Sequence, residues 1–492
     1  MDKCVRARYK VNSTPMFQML TESQQRDIYQ AALEILERTG AVVHDQESLE
    51  LFKKAGCWVE GDRVRIPAGI TEWAVAAAPS RILLYNREGK RSMVLEGRNT
   101  YYGPGPTNTY HRDPETGERR RPVLSDSENA GKVCDALPNI DFTMDLGTPT
   151  GVTDTLADVY AFKSLVTNCR KPIVHWGFDI EQYQDIIDIA TAVVGGLENL
   201  QKRPFICLYS EPSSPLVHSR EAIAKAVFAA KNRVPIVYTP CVMLGGTTPA
   251  TMAGTIALGV AESLVGIVVS QLVREGSPII MGGVYAIMDM KTTVYSYGSP
   301  EFHIMQAGIA EVAHYMNLPV FGTAGCTDSH TLDGQAAGEA TMSILMAAQS
   351  GANLVHDVGY TGSGSQGSLY QLVMCDEIIG MVKRFMRGMK VDDETLAVEV
   401  IDRVGPGGHH LADPHTMKHF KTETWFPSTI NRMRYDEWKN STNSSTMGDR
   451  VAQKMRDILK NHEVPALPDD VLKKIDEIIK KAEDREAKKK KK

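Results

Sequence analysis

The sequence predicts a (β/α)8 TIM barrel with an N-terminal cap and a C-terminal helical extension. Three observations carry this. Eight short apolar runs recur between residues 100 and 390, each ends in small or polar residues, and most are followed by a helical stretch. The runs are Thr100–Gly105, Ile140–Gly147, Pro172–Phe178, Pro204–Glu211, Pro235–Cys241, Pro278–Tyr285, Pro319–Asp328 and Asn353–Tyr360. Runs without clean alternation suit strands buried on both faces, as in a parallel sheet. Eight strands alternating with helices count out to a closed barrel, whose active site lies at the C-terminal strand ends. Those ends carry Tyr102, His175, Trp176, Phe178, Tyr209, Glu211, Tyr238, Tyr285, Asp328, His330, His356 and Tyr360.

Before the barrel, residues 1–99 read as a cap of helices with a strand pair. Thr21 opens a helix in capping style, and Ile28, Ala31, Ala32, Ile35 and Leu36 keep helical spacing until Gly40 stops it. Asp113-Pro-Glu-Thr-Gly117 is a turn, so Tyr110–Pro122 is predicted to be a hairpin inserted after the first strand. Ser299 and Pro300 start a further barrel helix. The barrel is expected over 100–390. Residues 391–492 then hold helical and aromatic-rich pieces, ending in a helix from about Pro468, with no low-complexity linker, so this extension is expected to pack on the barrel.

Composition excludes several function classes. At 492 residues and 42% hydrophobic content the chain supports one large core with additions. A formal net charge of −5 gives no basic surface for nucleic acid. The Lys488–Lys492 run reads as a solvated, frayed terminus. The longest apolar stretch, Ile256–Val273, contains Glu262, Ser263, Ser270 and Gln271 and reads as a buried barrel helix, not a membrane span. The opening MDKCVRARYKVNS has no apolar signal-peptide core, and the eight cysteines form no CxxC pair; a cytoplasmic protein is expected.

Four constellations could carry chemistry. Tyr102, Trp176, Tyr209, Tyr238, Tyr285 and Tyr360 fall near strand ends although aromatic content is only 7%; with Glu211 they are expected to line a substrate pocket. Ring faces attract a quaternary ammonium at roughly 0.5–2 kcal/mol each when desolvated, although tyrosines can also simply fill the barrel mouth with their hydroxyls wet. Gly362-Ser-Gly-Ser-Gln-Gly367 fits GxGxxG after a strand and before a helix. A glycine-rich lid is preferred here; phosphate or cofactor binding through Gly362, Gly364 and Gly367, or a dinucleotide turn, are the alternatives. His409, His410, His415 and His419 cluster late in the chain, with His415 and His419 on one helical face, but no HExxH frame exists. Surface or structural histidines are the preferred reading, and no metal site is assigned. Finally, Asp328 and His330, followed by Asp333 and Gln335, load the loop after the seventh strand, with His356 and Asp357 on the eighth. Asp328, His330 and His356 are the catalytic candidates, able to bind a substrate carboxylate or move protons; a hydrogen-bonded loop with Asp333 capping the next helix is the plainer alternative.

These residues, taken together, resemble the trimethylamine methyltransferase family of corrinoid-protein methyltransferases, in its pyrrolysine-lacking branch. The resemblance covers nearly the whole chain. It runs through Tyr102-Gly-Pro-Gly, Asp113-Pro-Glu-Thr-Gly-Glu-Arg, Ser210-Glu-Pro-Ser-Ser-Pro-Leu216 and Leu244-Gly-Gly-Thr-Thr-Pro-Ala-Thr-Met-Ala-Gly254. It continues through Tyr297-Gly-Ser-Pro-Glu301, Ala324-Gly-Cys-Thr-Asp-Ser329, Asp333-Gly-Gln335, Ser350-Gly-Ala-Asn353 and 405–416. The resemblance implies a barrel that moves a methyl group from a methylamine to the cob(I)alamin of a separate corrinoid protein. It therefore implies a corrinoid partner, no tightly bound cofactor of its own, and a homo-oligomer. Trimethylamine-using members carry pyrrolysine in the barrel; this chain has only standard residues, and the corresponding loop is near Asp328–Thr331, around His330. That branch resembles glycine betaine methyltransferases and relatives acting on proline betaine, carnitine or γ-butyrobetaine. Glycine betaine, giving dimethylglycine, is the expected substrate. A phosphate-binding or zinc-dependent barrel enzyme is the rival expectation.

Overall fold

The structure is a computed structural model and describes residues 12, 13 and 15–489; residues 1–11 of the opening segment read for a signal peptide, including Cys4, and the last three lysines lie outside the described residues. Seven parallel strands form the central sheet. They are β1 (Tyr101–Tyr102), β2 (Ile173–Trp176), β3 (Ile206–Ser210), β4 (Ile236–Tyr238), β5 (Ile279–Gly282), β6 (Val320–Thr323) and β7 (Leu354–His356), in the order β2-β3-β4-β5-β6-β7-β1. The predicted second run supplies the eighth position. Asp141 N donates to the Tyr102 carbonyl at 2.6 Å on one side, and Thr143 pairs with Ile173 on the other, closing the circle. The fold is a TIM barrel.

Register within each strand decides which side chains enter the barrel. Val174, Cys207, Val237, Ile280, Phe321 and Leu354 form one inner cluster with Tyr101, Phe142, Met144 and Tyr209, and Trp176 packs on it. Their immediate neighbours, such as Ile173, Leu208, Ile236 and Tyr238, belong to the outer cluster under the helices. This is the two-residue period of a strand applied around a closed sheet.

A hairpin of Ile82–Tyr85 and Arg91–Leu95 sends Ile82, Leu84, Met93 and Leu95 into the same inner cluster. Tyr85 N reaches the Pro204 carbonyl at 2.8 Å, ahead of β3, so the hairpin seals the N-terminal end of the barrel. The opposite end is therefore the open one.

There the strands do not simply stop. The run expected as one strand over Pro278–Tyr285 is broken: β5 ends at Gly282, and a second strand, Val284–Met288, rises beyond it. It pairs in parallel with Cys241–Leu244 and in antiparallel with Tyr295–Ser296. Gly282 and Gly283 make the break with φ of 133° and 137°, and a Cβ on either would overlap the Phe321 or Pro240 carbonyl oxygen. Only glycine tolerates both conditions. The result is a three-stranded wall over one side of the barrel mouth.

The remaining elements dress the outside. The helix Glu22–Glu34 starts with a capping box at Thr21 and packs on the helices Met252–Val273 and Pro300–Tyr315. Met252–Val273 is long and apolar enough to cross a membrane, but 83% of its apolar window is buried inside the protein. Tyr110–Arg112 and Arg119–Arg120 form the hairpin after β1. At the C-terminus, Met447–Asn461 buries Val451 and Met455 against Leu369–Met386, and Asp469–Lys489 buries Val471, Ile475 and Ile479. The lysine run expected to fray is helical through Lys489, which pairs with Glu181 of the barrel helix Ile180–Val194.

Candidate active site

Position at a strand end brings a residue to the barrel mouth only if its register turns it inward. Trp176 and Tyr209 meet both conditions. Tyr209 packs on Phe321 with ring centroids 5.6 Å apart, and on His356 at 6.3 Å. Trp176 meets Phe178 edge-on at 6.1 Å, and Phe178 is 57% exposed at the rim.

Register turns three of the other expected pocket tyrosines away from the barrel interior. Tyr102 faces the outer layer, its hydroxyl 3.2 Å from the Ile344 carbonyl. Tyr238 also points outward: its ring occupies the space above Gly266 of the helix Met252–Val273, and its hydroxyl lies 2.6 Å from His218 Nδ1. Tyr285 lies on the upper strand, with its ring against Gly259 of the same helix. Tyr360 walls the mouth from the β1 side, but its hydroxyl is spent on the Pro106 carbonyl.

Glu211, one residue past β3, receives the Tyr209 hydroxyl at 3.2 Å. Burial pushes its carboxyl up to about 7, against the opposing pull of that hydrogen bond and of Lys225. His356 Nδ1 sits 2.9 Å from the Gly322 carbonyl, and its Nε2 is 3.2 Å from Asp357 Oδ1. Burial holds the imidazole neutral, down to about 3, and pushes the Asp357 carboxyl well above its ordinary range. Asp357 also adopts a left-handed φ of 67°, unusual for a non-glycine residue and characteristic of constrained functional loops.

Asp328 does something other than expected. Its carboxylate accepts from Ser296 Oγ at 2.5 Å, Tyr297 N at 2.8 Å and Gly298 N at 3.0 Å. It clamps the base of the upper wall and has little capacity left for a substrate. His330 is exposed at the rim, its carbonyl accepting from Arg112 Nη1 at 2.9 Å. Asp333 caps the helix Gly334–Ser350, accepting from Ala336 N.

The glycine motif is a β-hairpin turn, not a phosphate cradle. Tyr360–Thr361 pairs in antiparallel with Gln366–Gly367, and Gly362 and Gly364 take positive φ in the turn between them. The amides of Gly362 and Ser363 are bound to the Ser329 and Thr327 carbonyls, and a Cβ on Gly367 would overlap the Leu146 carbonyl oxygen. The Gly362 amide and the close approach at Gly367 are thus taken up in the packing of the hairpin, in keeping with the glycine-rich turn preferred from the sequence. His415 and His419 stack at 4.3 Å and face Glu394, and among the described residues no three His, Cys, Asp or Glu side chains gather to hold a metal.

Sequence reasoning missed part of the mouth. Lys225 is buried with Nζ 5.0 Å from the Trp176 ring centre, donates to the Gly177 carbonyl, and is brought down to about 8 by burial. Asp145 and Asp158 are buried acids pushed up to about 7 and about 6 by desolvation. Tyr295, on the upper wall, holds its hydroxyl 3.1 Å from Cys241 Sγ, and Tyr297 hydrogen-bonds Asp357. Acids within apolar runs were the available signal, because a buried carboxyl needs a reason to be there.

A parallel barrel with an aromatic, acid-rich mouth fits many chemistries, and similarity to known proteins narrows them. The trimethylamine methyltransferase (MTTB) family model matches residues 2–487. The chain belongs to this family. It is 30% identical to a glycine betaine methyltransferase of Desulfitobacterium hafniense (strain Y51), over 94% of this chain and 97% of that one. It is 31% identical to the trimethylamine methyltransferase MttB of D. hafniense (strain DSM 10664 / DCB-2), over 93% and 92%. Among solved structures, the monomethylamine methyltransferase MtmB of Methanosarcina barkeri aligns with a TM-score of 0.50 at 11% identity, covering 92% of this chain and 89% of that one. A hydroxylamine MtmB complex aligns with a TM-score of 0.51 at 10% identity, covering 93% and 91%. These structural likenesses concern the fold. The chain is thus a methyltransferase of the MTTB family.

Proposed function

We propose that this methyltransferase takes a methyl group from glycine betaine and delivers it to the Co(I) corrinoid of a separate, cytoplasmic corrinoid protein, leaving dimethylglycine. The single observation that carries the reading is Trp176 and Tyr209 on the inner wall beside the buried carboxyl of Glu211. Ring faces and a carboxylate are what a permanent cation without hydrogen-bond donors can use.

The chemistry needs little beyond placement. A quaternary nitrogen leaves as a neutral amine, keeping the C–N electron pair, so no proton has to be supplied. The corrinoid of the partner, when docked, supplies the nucleophile. The barrel holds the donor methyl toward the open rim and keeps water from the reacting line. Charge leaves the nitrogen as the bond breaks, so a very tight cage would favour the ground state. Lys225 suits that requirement, since its ammonium already covers one face of Trp176. At the rim, exposed Phe178, Met290 and Val294 give a flat macrocycle apolar surface to approach. The substrate carboxylate is best accommodated outside the acid-rich mouth, near Arg112 and His330.

A second reading is methyl transfer from a methylamine. It is favoured by the mouth itself, which offers Glu211, Asp357, Asp145 and Asp158 but only Lys225 as a counter-charge. Incubation with a reduced corrinoid protein and a panel of betaines, carnitine and methylamines, followed by mass spectrometry of the demethylated amine, separates the two. Formation of dimethylglycine supports the first reading. Demethylation of methylamines alone supports the second, and no demethylation of any of them removes both.

A further inference from the structure

Trp176 and Tyr209 are neighbours across the β2–β3 pairing, where the parallel register makes them Cα partners. In that register the next rung runs from Gly177 N to the Tyr209 carbonyl. A side chain from outside the barrel stands at this rung. The Tyr183 hydroxyl donates to the Tyr209 carbonyl and accepts from Tyr209 N at 3.2 Å, and the Gly177 amide approaches the same oxygen.

Local geometry puts Tyr183 there. Asp179 caps the helix Ile180–Val194, and Tyr183 N donates to the Asp179 carbonyl at 3.0 Å, closing the first turn. Helical side chains lean toward the N-terminus, so the ring folds back onto the strand that precedes its helix. It is fully buried and fills the space beside residue 177: a Cβ on Gly177 would stand 2.3 Å from two of its ring carbons. Gly177 takes no positive φ, so the ring, not the backbone, is what demands glycine there.

Two more helices hold the same turn. Lys225, from Arg220–Asn232, donates to the Gly177 carbonyl and lays its ammonium 5.0 Å from the Trp176 ring centre and 5.3 Å from that of Tyr183. Asp158, from Ala157–Asn168, accepts from Phe178 N at 2.7 Å. The backbone just after Trp176 is therefore fixed from three sides. Such fixing matters for a pair of ring walls, because a ring attracts a cation only within about 6 Å of its centre.

Resting on the reading of Trp176 and Tyr209 as walls of the ammonium site, we propose that Tyr183 is the positioning residue that sets their spacing. It lies in the outer layer, away from substrate and corrinoid. Its hydroxyl ties the end of β3, and its ring shapes the turn that follows Trp176, so one side chain outside the sheet governs two rings inside it. Packing alone does not account for a tyrosine here, since a phenylalanine ring would fill the same space. A hydroxyl carried into an apolar layer has to find partners, and this one finds them on the main chain of Tyr209.

The test is titration calorimetry of the full chain with tetramethylammonium and with glycine betaine, alongside thermal melting. Tyr183→Phe keeps the ring and removes the hydroxyl; it should weaken both Kd values about 2- to 10-fold, part of the range of one cation–π contact. With the amine that is turned over, KM should rise by a similar factor while kcat holds within about twofold. In a Trp176→Ala background the same substitution should have a much smaller effect, because one of the rings it serves is gone. Gly177→Ala displaces the ring with its hydroxyl intact; it should weaken binding in the same direction, and it carries the test if Tyr183→Phe fails to fold. A lower melting temperature with unchanged Kd, or a weakening that persists undiminished in the Trp176→Ala background, overturns the proposal and leaves the ammonium site standing. Unchanged Kd in Trp176→Ala itself, or no binding of either cation, overturns the reading of the site and the proposal with it.

Discussion

His356 Nε2 and Asp357 Oδ1 lie 3.2 Å apart inside the barrel mouth, with burial favouring the uncharged form of each. One proton shared between a neutral imidazole and a neutral acid keeps two adjacent groups satisfied without a buried net charge. Replacement of Asp357 by Asn should therefore keep the hydrogen bond and fold the protein, with a small loss at most. Replacement by Ala strands Nε2 and should cost about 1–3 kcal/mol in urea unfolding.

Linkage gives Glu211 a signature in stability. Its folded-state pKa lies above its ordinary value of 4.5, at about 7, so its contribution is complete below pH 4.5 and is lost as pH rises through 7. The melting temperature of the unaltered protein relative to Glu211→Gln should fall across that window. His356 works with the opposite sign: its folded value is depressed to about 3, and its contribution is lost as pH falls from 6.5. A thermal-shift series from pH 4 to 8 in both proteins checks the difference curve. A flat curve would mean that burial leaves the Glu211 carboxyl at its ordinary value.

Trp176→Ala should raise the KM for betaine about 2- to 30-fold, the range of one cation–π contact, while the fold survives because Trp176 stands half-buried at the rim. Tyr238→Phe should leave KM unchanged. Its effect falls on stability, about 1–3 kcal/mol, because His218 Nδ1 loses its partner in the outer core. Steady-state kinetics alongside chemical denaturation distinguish the two strand-end residues directly.

Gly266→Ala should destabilise by about 1–3 kcal/mol, since the new methyl overlaps the Tyr238 ring between strand and helix. Activity per folded molecule should be retained, and comparison of denaturation midpoints with turnover on the soluble fraction checks this.

Asp328→Asn should loosen the upper wall by weakening three hydrogen bonds to 296–298, and so shift Tyr297 from Asp357. A lower kcat with a reduced melting temperature is the expected pair of effects. Unchanged kcat would separate the wall from turnover.

Much of the barrel was legible because buried parallel strands are long enough apolar signals to survive without alignment. Orientation was less legible. Strand-end position gave Tyr102, Tyr238 and Tyr285 the same standing as Tyr209, yet a shift of one residue within the pleat decides inside from outside. The break at Gly282-Gly283 was hidden because both halves of Pro278–Tyr285 are apolar. The GxGxxG spacing met its sequence context, but two residues, Gln366 and Gly367, fold back on Tyr360–Thr361 before the helix begins. Lys225 was overlooked because an amphipathic helix normally carries its lysines to solvent, and only the tertiary packing lays this one on Trp176.

The hairpin Ile82–Leu95 beneath the barrel has a consequence for traffic. Leu84 and Met93 close the barrel floor, so on the proposed reading incoming amine, departing amine and methyl acceptor would all use the opposite rim. They would then have to queue: an acceptor seated over the rim would trap whatever is inside, and the spent amine would go free only after that visitor steps away.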